Sequence, residues 1–420
     1  MARRYFGTDG VRGILGQDLT PDLVQRLGKA ATLWSRGGRV FLGRDTRASG
    51  PELEEAFARG VVEAGGNAVA AGVLPTPAVA LLALDLGVVV SASHNPPEYN
   101  GIKFFDRDGR KLTDEAEEQI EALLDKPGPG GGRVDRVGVA TDSYLEHIVE
   151  RFGSDLSGLR VAVDCANGAY SAIAPIAFEE LGAAVTAVAA EPDGTNINLG
   201  SGATDLSLLR RTVLQGDFDL GVAFDGDGDR MLAVDANGTP VDGDQILAIL
   251  ADYLKVDLVA VTQMTNLGFH RFAEERRIRV VTTDVGDRYV LEALRREGGL
   301  LGGEQSGHII YLKDHVTGDG LAASLLLCAA IQGRTLADAA AILPRYPQSK
   351  ENVRVVTKTL PDDLFAEIER VNDELDGSGR ILVRPSGTEP VVRVLAEAEN
   401  PQKAAELCAR ITALVTRELG

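Results

Sequence analysis

Three segments of this chain repeat one order of predicted elements: an apolar strand, an amphipathic helix and a second apolar strand. The strands are predicted at 39–45 and 67–73, at 159–164 and 184–189, and at 258–262 and 279–283. The helices between them are predicted at 51–65, up to about 181 and through 276, with others at 76–86 and after Thr113. Runs rich in Val and Ala that alternate with helical periodicity indicate α/β layers. The repetition predicts three similar α/β domains with mixed sheets, although the three segments share little sequence.

The pattern changes after the proline-punctuated stretch LPRYPQSKE (343–351). A strand VRVVTK, a helix at 362–375, strands RILVR and VVRVLAEA and a helix at 402–418 follow. This β-α-β-β-α order predicts a small C-terminal α+β domain. The glycine-rich segment KPGPGGG (126–132) is interpreted as a linker or long turn. The 420 residues are therefore predicted to form four domains, at 1–150, 151–250, 251–345 and 350–420.

The chain is strongly acidic, since 43 Lys and Arg stand against 62 Asp and Glu, a net charge of −19. An acidic surface repels a phosphate backbone, so no nucleic-acid partner is expected. A small anionic substrate would also be repelled at long range. Any phosphate-binding site must therefore be a local pocket that contains basic residues or a metal ion.

The sequence carries no signal for export or for a membrane. Cys165, Cys328 and Cys408 lie far apart in apolar stretches and form no CxxC motif, which fits a reducing compartment. No apolar segment follows the arginines of MARRYFGTDG, so no signal peptide is expected. The longest apolar run, near 322–331, is too short to cross a bilayer. We expect a cytoplasmic protein.

The segment SASHNPPEYNGIKFF (91–105) follows a buried strand and begins with an irregular loop. Loops at the carboxyl ends of strands are where open α/β sheets bind ligands. Ser93 would be presented there beside His94, with Lys103 ten residues further on. A serine hydroxyl needs a neighbouring base or metal to become a nucleophile. The alternative is a loop whose Ser and Asn side chains only cap turns, and the absence of a GxSxG motif disfavours a Ser-His-Asp hydrolase.

The segment DLGVAFDGDGDRMLAVD (219–235) places Asp225, Asp227 and Asp229 on a turn between two strands. Carboxylates this close repel one another unless a cation lies among them, and Mg²⁺ commonly takes a few carboxylates and a phosphate oxygen. An EF-hand is excluded because Arg230 and Ala236 occupy the positions that need Gly and Glu. The pattern favours a metal site over a solvated acidic turn.

Two further motifs are weaker. In GGEQSGHII (302–310), Glu304, Ser306 and His308 would suit the recognition of sugar hydroxyls, with the histidine available for proton transfer. A helix-capping turn is the alternative. In RPSGTEPVVR (384–393), backbone N–H groups and hydroxyls flanked by two arginines would suit a phosphate. A Pro-Gly turn with surface ion pairs is equally compatible.

No GxxxxGK[ST] or GxGxxG motif occurs, so the sequence offers no site for nucleotide-dependent kinase chemistry. Together the four motifs supply a nucleophile, a metal site, a group that reads hydroxyls and a phosphate clamp. Phosphoryl transfer requires these parts.

SASHNP, DGDGDR, GEQSGH and RPSGTEP, in this order and over nearly the whole chain, resemble the α-D-phosphohexomutases. The resemblance implies four domains around a central active-site cleft, a bound Mg²⁺ and a phosphorylated serine. FGTDGVRG (6–13), PDGTNINLGSGATD (192–205), VGDRYVLE (285–292) and GEQSGHII are similar to the branch that acts on glucosamine phosphates. Asp284 departs from the pattern, because relatives often carry a basic or neutral residue there.

Carried over by position, the resemblance makes Ser93 the phosphoserine. Asp225, Asp227 and Asp229 would hold Mg²⁺ together with a phosphoserine oxygen. The residues implied at the reacting centre are Arg12, His94, Lys103, Arg230 and His308, of which Lys103 and His308 are candidates for general acid or base. Glu304 and Ser306 would read sugar hydroxyls. The residues implied for holding substrate through its distal phosphate are Arg384, Ser386, Gly387, Thr388 and Arg393.

The implied reaction moves a phosphoryl group between O6 and O1 of a hexosamine in two transfers, with glucosamine or glucose 1,6-bisphosphate as intermediate and activator. Its product would feed UDP-N-acetylglucosamine and cell-wall synthesis. The implied partner is a small phosphosugar, and a homodimer is left open. Three alternatives remain: a related mutase for glucose or mannose phosphates, an idle sugar-phosphate-binding protein, and a phosphatase in which water intercepts the phosphoserine.

Overall fold

A computed structural model of the protein describes residues 4–7, 9–36, 38–386 and 390–420. These residues form four β-sheets flanked by helices. They group into two compact units, one made of Met1–Met264 with Ile278–Ile342 and the other of Thr265–Arg277 with Leu343–Gly420. The predicted α/β class with mixed sheets is confirmed.

The first sheet has the strand order β1-β5-β4-β2-β3-β6. Its strands are Val11–Ile14 (β1), Arg39–Arg44 (β2), Asn67–Val73 (β3), Leu86–Val90 (β4), Tyr99–Asp106 (β5) and Arg133–Arg136 (β6). The helices of this part of the chain are Pro21–Trp34 (α1), Gly50–Glu63 (α2), Thr76–Leu81 (α3), Asp114–Glu121 (α4) and Ala140–Phe152 (α5). One face of β2 and β4 is buried against α1 and α2, and Gly43 and Gly87 on the other face pack against Val79 of α3. Cover on both faces explains why these strands are almost continuously hydrophobic.

The second and third sheets have the orders β11-β10-β9-β7-β8 and β13-β12-β14-β15. Their strands are Arg160–Asp164 (β7), Ala184–Val188 (β8), Leu220–Phe224 (β9), Met231–Asp235 (β10), Pro240–Val241 (β11), Leu258–Thr262 (β12), Arg279–Thr283 (β13), Leu301–Gly303 (β14) and Ile309–Tyr311 (β15). The helices here are Ala174–Glu180 (α6), Ser207–Gln215 (α7), Gly243–Leu254 (α8), Leu267–Glu275 (α9), Asp287–Glu297 (α10), Gly320–Ala330 (α11) and Leu336–Ala340 (α12).

The first three sheets share a four-strand arrangement. In each, one strand pairs in parallel with a neighbour on either side. The fourth strand pairs antiparallel with one of these two neighbours and follows it directly in the chain. The orders are β5-β4-β2-β3, β10-β9-β7-β8 and β15-β14-β12-β13. The repeat predicted from the sequence is therefore present in the fold. It places three connections at equivalent positions, each at the carboxyl end of a buried parallel strand.

Two predicted elements differ from those observed. The helix predicted at 76–86 ends at Leu81, because Asp85 already pairs with Arg39 through backbone and side-chain hydrogen bonds as the chain enters β4. The strand predicted at VRVVTK begins earlier, at Gln348. That strand lies at a sheet edge, where polar residues face solvent and the sequence does not alternate.

The C-terminal segment forms a three-stranded antiparallel sheet of order β16-β18-β17. Its elements are Gln348–Arg354 (β16), Asp362–Leu375 (α13), Gly379–Pro385 (β17), Val391–Ala398 (β18) and Pro401–Leu419 (α14). One face of β18 is buried through Val392, Val394 and Ala396 against apolar residues of the two helices. The α9 helix belongs to this unit, and Asn266 before it donates a hydrogen bond to the carbonyl of Tyr346.

Within the described part of the chain, no helix combines the length and the apolar character that crossing a bilayer requires.

Candidate active site

The nucleophile predicted from the sequence lies in the connection between β4 and β5, which we call the Ser93 loop (residues 91–98). Ser93 has a backbone φ of +53°, in the left-handed region that a non-glycine residue seldom adopts. Its N–H donates to Ser91 Oγ at 2.8 Å, and its side chain is buried. Such a conformation is maintained only where the surrounding structure enforces it.

The hydroxyl of Ser93 is directed at the acidic loop (residues 225–230), the equivalent connection between β9 and β10. Ser93 Oγ donates to Asp225 Oδ2 at 2.5 Å. Asp225, Asp227 and Asp229 are all buried, and one carboxylate oxygen from each lies within 4.8 Å of the others. Glycines 226 and 228 permit this packing: a Cβ on Gly226 would lie 2.7 Å from the Ser93 carbonyl, and Gly228 has φ +80°.

The acidic loop fits a divalent cation. Asp227 Oδ1 is buried and has no hydrogen-bond partner among the described residues. Burial, followed by the charges of Asp229 and Asp227, raises the pKa of Asp225 to about 7. A donor set of carboxylate oxygens beside a hydroxyl is one that hard cations prefer. The geometry therefore agrees with the metal site predicted from the DGDGDR motif.

Lys103, in the middle of β5, supplies a fixed positive charge to the same cluster. Its Nζ donates to Asp227 Oδ2 at 2.7 Å and to Asp229 Oδ2 at 3.0 Å, and lies 3.3 Å from Asp9 Oδ2. Burial alone would lower the pKa of Lys103, but the three aspartates raise it well above its usual value. In this arrangement Lys103 carries a positive charge, and its role as general acid or base stays a prediction.

The third equivalent connection, between β14 and β15, is the Glu304 turn (residues 304–308). His308 Nε2 lies 3.0 Å from Asp229 Oδ1, and Nδ1 lies 2.8 Å from Glu304 Oε2. Burial would lower the pKa of His308, but Asp229 and Asp287 raise it to about 10. The turn is a hairpin and not the helix cap considered as an alternative. His308 is thus a protonated imidazolium at neutral pH and can act as an acid.

Three further predicted residues surround Ser93. Arg12 donates to Asn95 Oδ1 at 2.9 Å and to the carbonyl of Ala92 at 3.3 Å, which ties the amino-terminal segment to the Ser93 loop. His94 Nδ1 lies 3.3 Å from Ser93 Oγ. Burial and then the cations Arg230 and Arg12 lower the pKa of His94 to about 3, so its ring is neutral. The backbone N–H of Arg230 donates to Asp225 Oδ1, and Arg230 forms an isolated antiparallel β-bridge with His308.

A chain of partly buried charges behind Lys103 was not predicted from the sequence. Lys111 Nζ lies 2.7 Å from Asp9 Oδ1 and 2.8 Å from Asp287 Oδ2, and Asp9 also pairs with Arg12. Asp9 lies in the segment FGTDGVRG and Asp287 in VGDRYVLE, which served only as family motifs. Their charge within these motifs was the only available signal, because the lysines that they bind are more than 90 residues away.

The remaining predicted residues make none of these contacts with the acidic loop or Ser93. Ser306 and Asp284 are exposed to solvent. In the second compact unit, Arg384 and Arg393 face each other across β17 and β18, and Arg393 Nη2 lies 3.5 Å from Ser386 Oγ. Gly387 and Thr388 lie outside the described residues.

The Nζ of Lys358 donates to the Ser386 carbonyl at 2.9 Å, which places a third cation beside the hairpin. The composition of this hairpin is therefore suited to an anion such as phosphate.

Comparison with known proteins agrees with this chemistry. Profiles described as phosphoglucomutase/phosphomannomutase α/β/α domains I, II and III and C-terminal domain match residues 3–129, 142–238, 242–346 and 348–414. The phosphoglucosamine mutase of Pelotomaculum thermopropionicum is 48% identical and aligns over 98% of each chain. A phosphoglucomutase/phosphomannomutase family protein from Burkholderia thailandensis has a TM-score of 0.86 at 25% identity, over 99% of this chain and 97% of its own.

N-acetylphosphoglucosamine mutase of Aspergillus fumigatus, solved in complex with GlcNAc-6P and magnesium, shares the fold, with a TM-score of 0.72 at 18% identity over 99% and 96% of the chains. The fold and the matched profiles define an isomerase of the phosphohexomutase class. The chain belongs to the phosphoglucomutase/phosphomannomutase family, and its full-length relatives lie in the phosphoglucosamine mutase branch.

Proposed function

We propose that this protein interconverts glucosamine 6-phosphate and glucosamine 1-phosphate through a phosphoserine at Ser93 and a 1,6-bisphosphate intermediate. The observation that carries the proposal is the buried Ser93 hydroxyl, 2.5 Å from one of three clustered carboxylates and within reach of a neutral histidine. The names of the full-length relatives support glucosamine phosphate as the substrate.

In the first transfer, the bond between phosphorus and Ser93 Oγ breaks as a bond forms to a sugar hydroxyl oxygen; the sugar hydroxyl loses its proton and Ser93 Oγ gains one. In the second, the other phosphate of the bisphosphate moves to Ser93, whose hydroxyl loses its proton, and the sugar oxygen that it leaves gains one. His308, which is held as an imidazolium, is suited to give that proton. Lys103 remains charged and offsets the negative charge that develops near the acidic loop.

Asp225, Asp227 and Asp229, with an oxygen of phospho-Ser93, would hold Mg²⁺. When bound, the ion supplies positive charge that stabilises the transferring phosphoryl group. The Aspergillus relative was solved with magnesium, which supports this choice of metal. Glu304 and Ser306 would accept and donate hydrogen bonds to the sugar hydroxyls. Glu304 Oε1 already accepts from the N–H of Gly286 at 3.0 Å, which fixes its carboxylate.

The C-terminal hairpin would hold the phosphate that is not reacting. Arg384, Arg393 and Ser386, with Gly387 and Thr388, are the residues proposed for this contact. The division into four domains at 1–150, 151–250, 251–345 and 350–420 is likewise a proposal, and the four matched profiles support it.

A coupled assay with glucosamine 6-phosphate, Mg²⁺ and a trace of 1,6-bisphosphate tests the function. The assay is repeated with glucose and mannose phosphates, and released inorganic phosphate is measured in parallel. We expect the highest kcat/KM on glucosamine 6-phosphate and no net phosphate release. Faster turnover of glucose or mannose phosphate would point to a different mutase, and stoichiometric phosphate release would point to a phosphatase.

A further inference from the structure

A fully buried arginine outside the predicted site contacts the Ser93 loop. Arg47 follows β2, in the segment GRDTR, and has no solvent exposure. Its Nε donates to Asp45 Oδ2 at 2.8 Å. Its other four N–H groups donate to backbone carbonyls of the Ser93 loop and of the first residue of β5, those of Ser93, Asn95, Pro96 and Tyr99.

All five N–H donors of the guanidinium are therefore used, three of them on carbonyls of the Ser93 loop and one on the adjoining carbonyl of Tyr99. The Nη2 distances to the carbonyl oxygens of Ser93 and Asn95 are 2.9 and 2.8 Å. Asp45 in turn accepts from Ser91 Oγ at 2.6 Å, and Ser91 Oγ accepts from the N–H of Ser93. Both the carbonyl and the N–H of Ser93 are thus connected, directly or through one residue, to the Arg47–Asp45 pair.

Asn198, which lies between β8 and α7, also binds the backbone carbonyls of Ser93 and Asn95. Asn198 Nδ2 donates to the carbonyl of Ser93 at 2.8 Å and to that of Asn95 at 3.1 Å. Asn198 itself has a backbone φ of +59°, which asparagine tolerates better than most residues. The Ser93 carbonyl is therefore held from two sides, by a cation and by an amide.

We propose that Arg47 and Asn198 are positioning residues that keep Ser93 in its left-handed backbone conformation, so that Oγ points at Asp225. The proposal rests on the proposed role of Ser93 as the phosphoryl carrier. Without these donors, Ser93 would relax toward an ordinary φ and its hydroxyl would turn away from the acidic loop. Neither residue touches the substrate in this scheme, so the loss should affect the rate of transfer and not the binding of the sugar phosphate.

The test compares Arg47→Lys and Asn198→Asp with wild type. Lysine keeps the charge but has one donor head instead of a planar fork. Aspartate keeps the shape of asparagine but offers oxygens where the carbonyls need a donor. In both variants we expect Ser93 to be phosphorylated by glucose 1,6-bisphosphate about tenfold to a hundredfold more slowly than in wild type. Intact-mass measurement over time gives this rate. We expect kcat to fall in proportion, while KM stays within about twofold of wild type because uniform binding is unaffected.

Arg59→Lys is the matched control. Arg59 lies on α2 and pairs with Glu55 at 3.6 Å, so its replacement should leave the phosphorylation rate unchanged. Wild type and Ser93→Ala, run in parallel, test the proposed function separately: if wild type acquires no phosphate on Ser93, that function is wrong.

If wild type is phosphorylated while folded Arg47→Lys and Asn198→Asp match its rate, the positioning role is overturned and the function stands. Thermal melts identify a variant that does not fold. If Arg47→Lys is such a variant, Asn198→Asp decides by the same criteria.

Discussion

At the scale of single residues, the proposed function depends on Ser93, whose hydroxyl would carry the phosphoryl group. Ser93→Ala should reduce mutase turnover by at least about a thousandfold, because no other hydroxyl in the loop is directed at the acidic loop. Intact-mass measurement should find a phosphate on the wild type that the variant lacks. Ser207→Ala is the control, since Ser207 Oγ donates to Asp205 at the start of α7, and this variant should retain the phosphate. Normal turnover by Ser93→Ala would exclude the phosphoserine route.

The acidic loop gives a second prediction. Asp227→Asn keeps the side-chain shape but removes one charge from the triad, so Mg²⁺ binding measured by calorimetry should weaken at least about tenfold, or about 1.4 kcal/mol. The fold should persist, because Thr76 Oγ1 can still donate to the remaining carbonyl oxygen of residue 227. Asp235→Asn, at the far end of β10, removes a buried carboxylate that binds only the following turn. Equal Mg²⁺ affinity in the two variants would contradict the metal assignment.

The site residues that were predicted from the sequence lie in recognisable motifs, whereas the two positioning residues that were not predicted bind backbone carbonyls far away in the chain. Ser93, Asp225, Asp227 and Asp229 lie within compact motifs whose chemistry is local, so the motif itself predicts the role. Arg47 and Asn198 act on backbone carbonyls about 50 and 100 residues away in the chain. Carbonyls carry no sequence signal, and a buried arginine in GRDTR resembles any surface arginine until the fold brings the Ser93 loop over it.

At the scale of secondary-structure elements, the β17–β18 hairpin is the proposed clamp for the distal phosphate. Arg384→Ala or Arg393→Ala should each raise KM for both sugar phosphates by one to two decades, because a charge-assisted contact contributes about 1.5–3 kcal/mol. More bisphosphate should escape during turnover, as chromatography of the reaction mixture would detect. Phosphorylation of Ser93 by added bisphosphate should be slowed but not abolished.

Arg354→Ala provides the control for the hairpin. Arg354 is exposed at the end of β16, in the same sheet, and lies outside the proposed clamp. Its loss should leave KM unchanged. The alternation along β18 made the orientation of Arg393 predictable, since Val392 and Val394 on either side of it are buried. An unchanged KM in both hairpin variants would mean that the distal phosphate binds elsewhere.

At the scale of the whole molecule, a buried polar network joins segments of the first compact unit. Asp319 caps α11 and accepts from Tyr144 of α5 at 2.7 Å and from Tyr170 at 2.8 Å. His315 Nε2 lies 3.0 Å from the same carboxylate, with His147 stacked on the His315 ring. Tyr170 also packs against Gly228, so the network supports the acidic loop from behind.

This network predicts a dependence of stability on pH. Burial would raise the pKa of Asp319, but the hydrogen bond and charge of His315, the N–H of Ala322 and the hydroxyl of Tyr144 lower it below its usual value. The ionised carboxylate therefore stabilises the fold above about pH 4, and this contribution is lost as the pH falls through the lowered native pKa. Asp319→Asn should lower the thermal midpoint at pH 7 and flatten its decline in acid.

Two substitutions that remove a hydroxyl measure how much the Asp319 network contributes to the free energy of unfolding. Tyr144→Phe and Tyr170→Phe each remove a donor to a buried charge, which should cost about 2 kcal/mol of unfolding free energy. Tyr311→Phe, whose ring contacts Phe152 outside the Asp319 hydrogen bonds, should change stability little. If all three variants melt alike, the network does not contribute to stability in the way described.

The three connections at equivalent positions have a consequence for how such a protein can change. Each is anchored on its own sheet, so the proposed phosphoryl carrier, the proposed metal ligands and the turn proposed to read the sugar belong to separate structural repeats. Under the proposed function, a substitution in the Glu304 turn would alter which hexose is accepted without disturbing the strands that present Ser93. The architecture thereby lets the preference for a sugar diverge among descendants while the reaction itself is preserved.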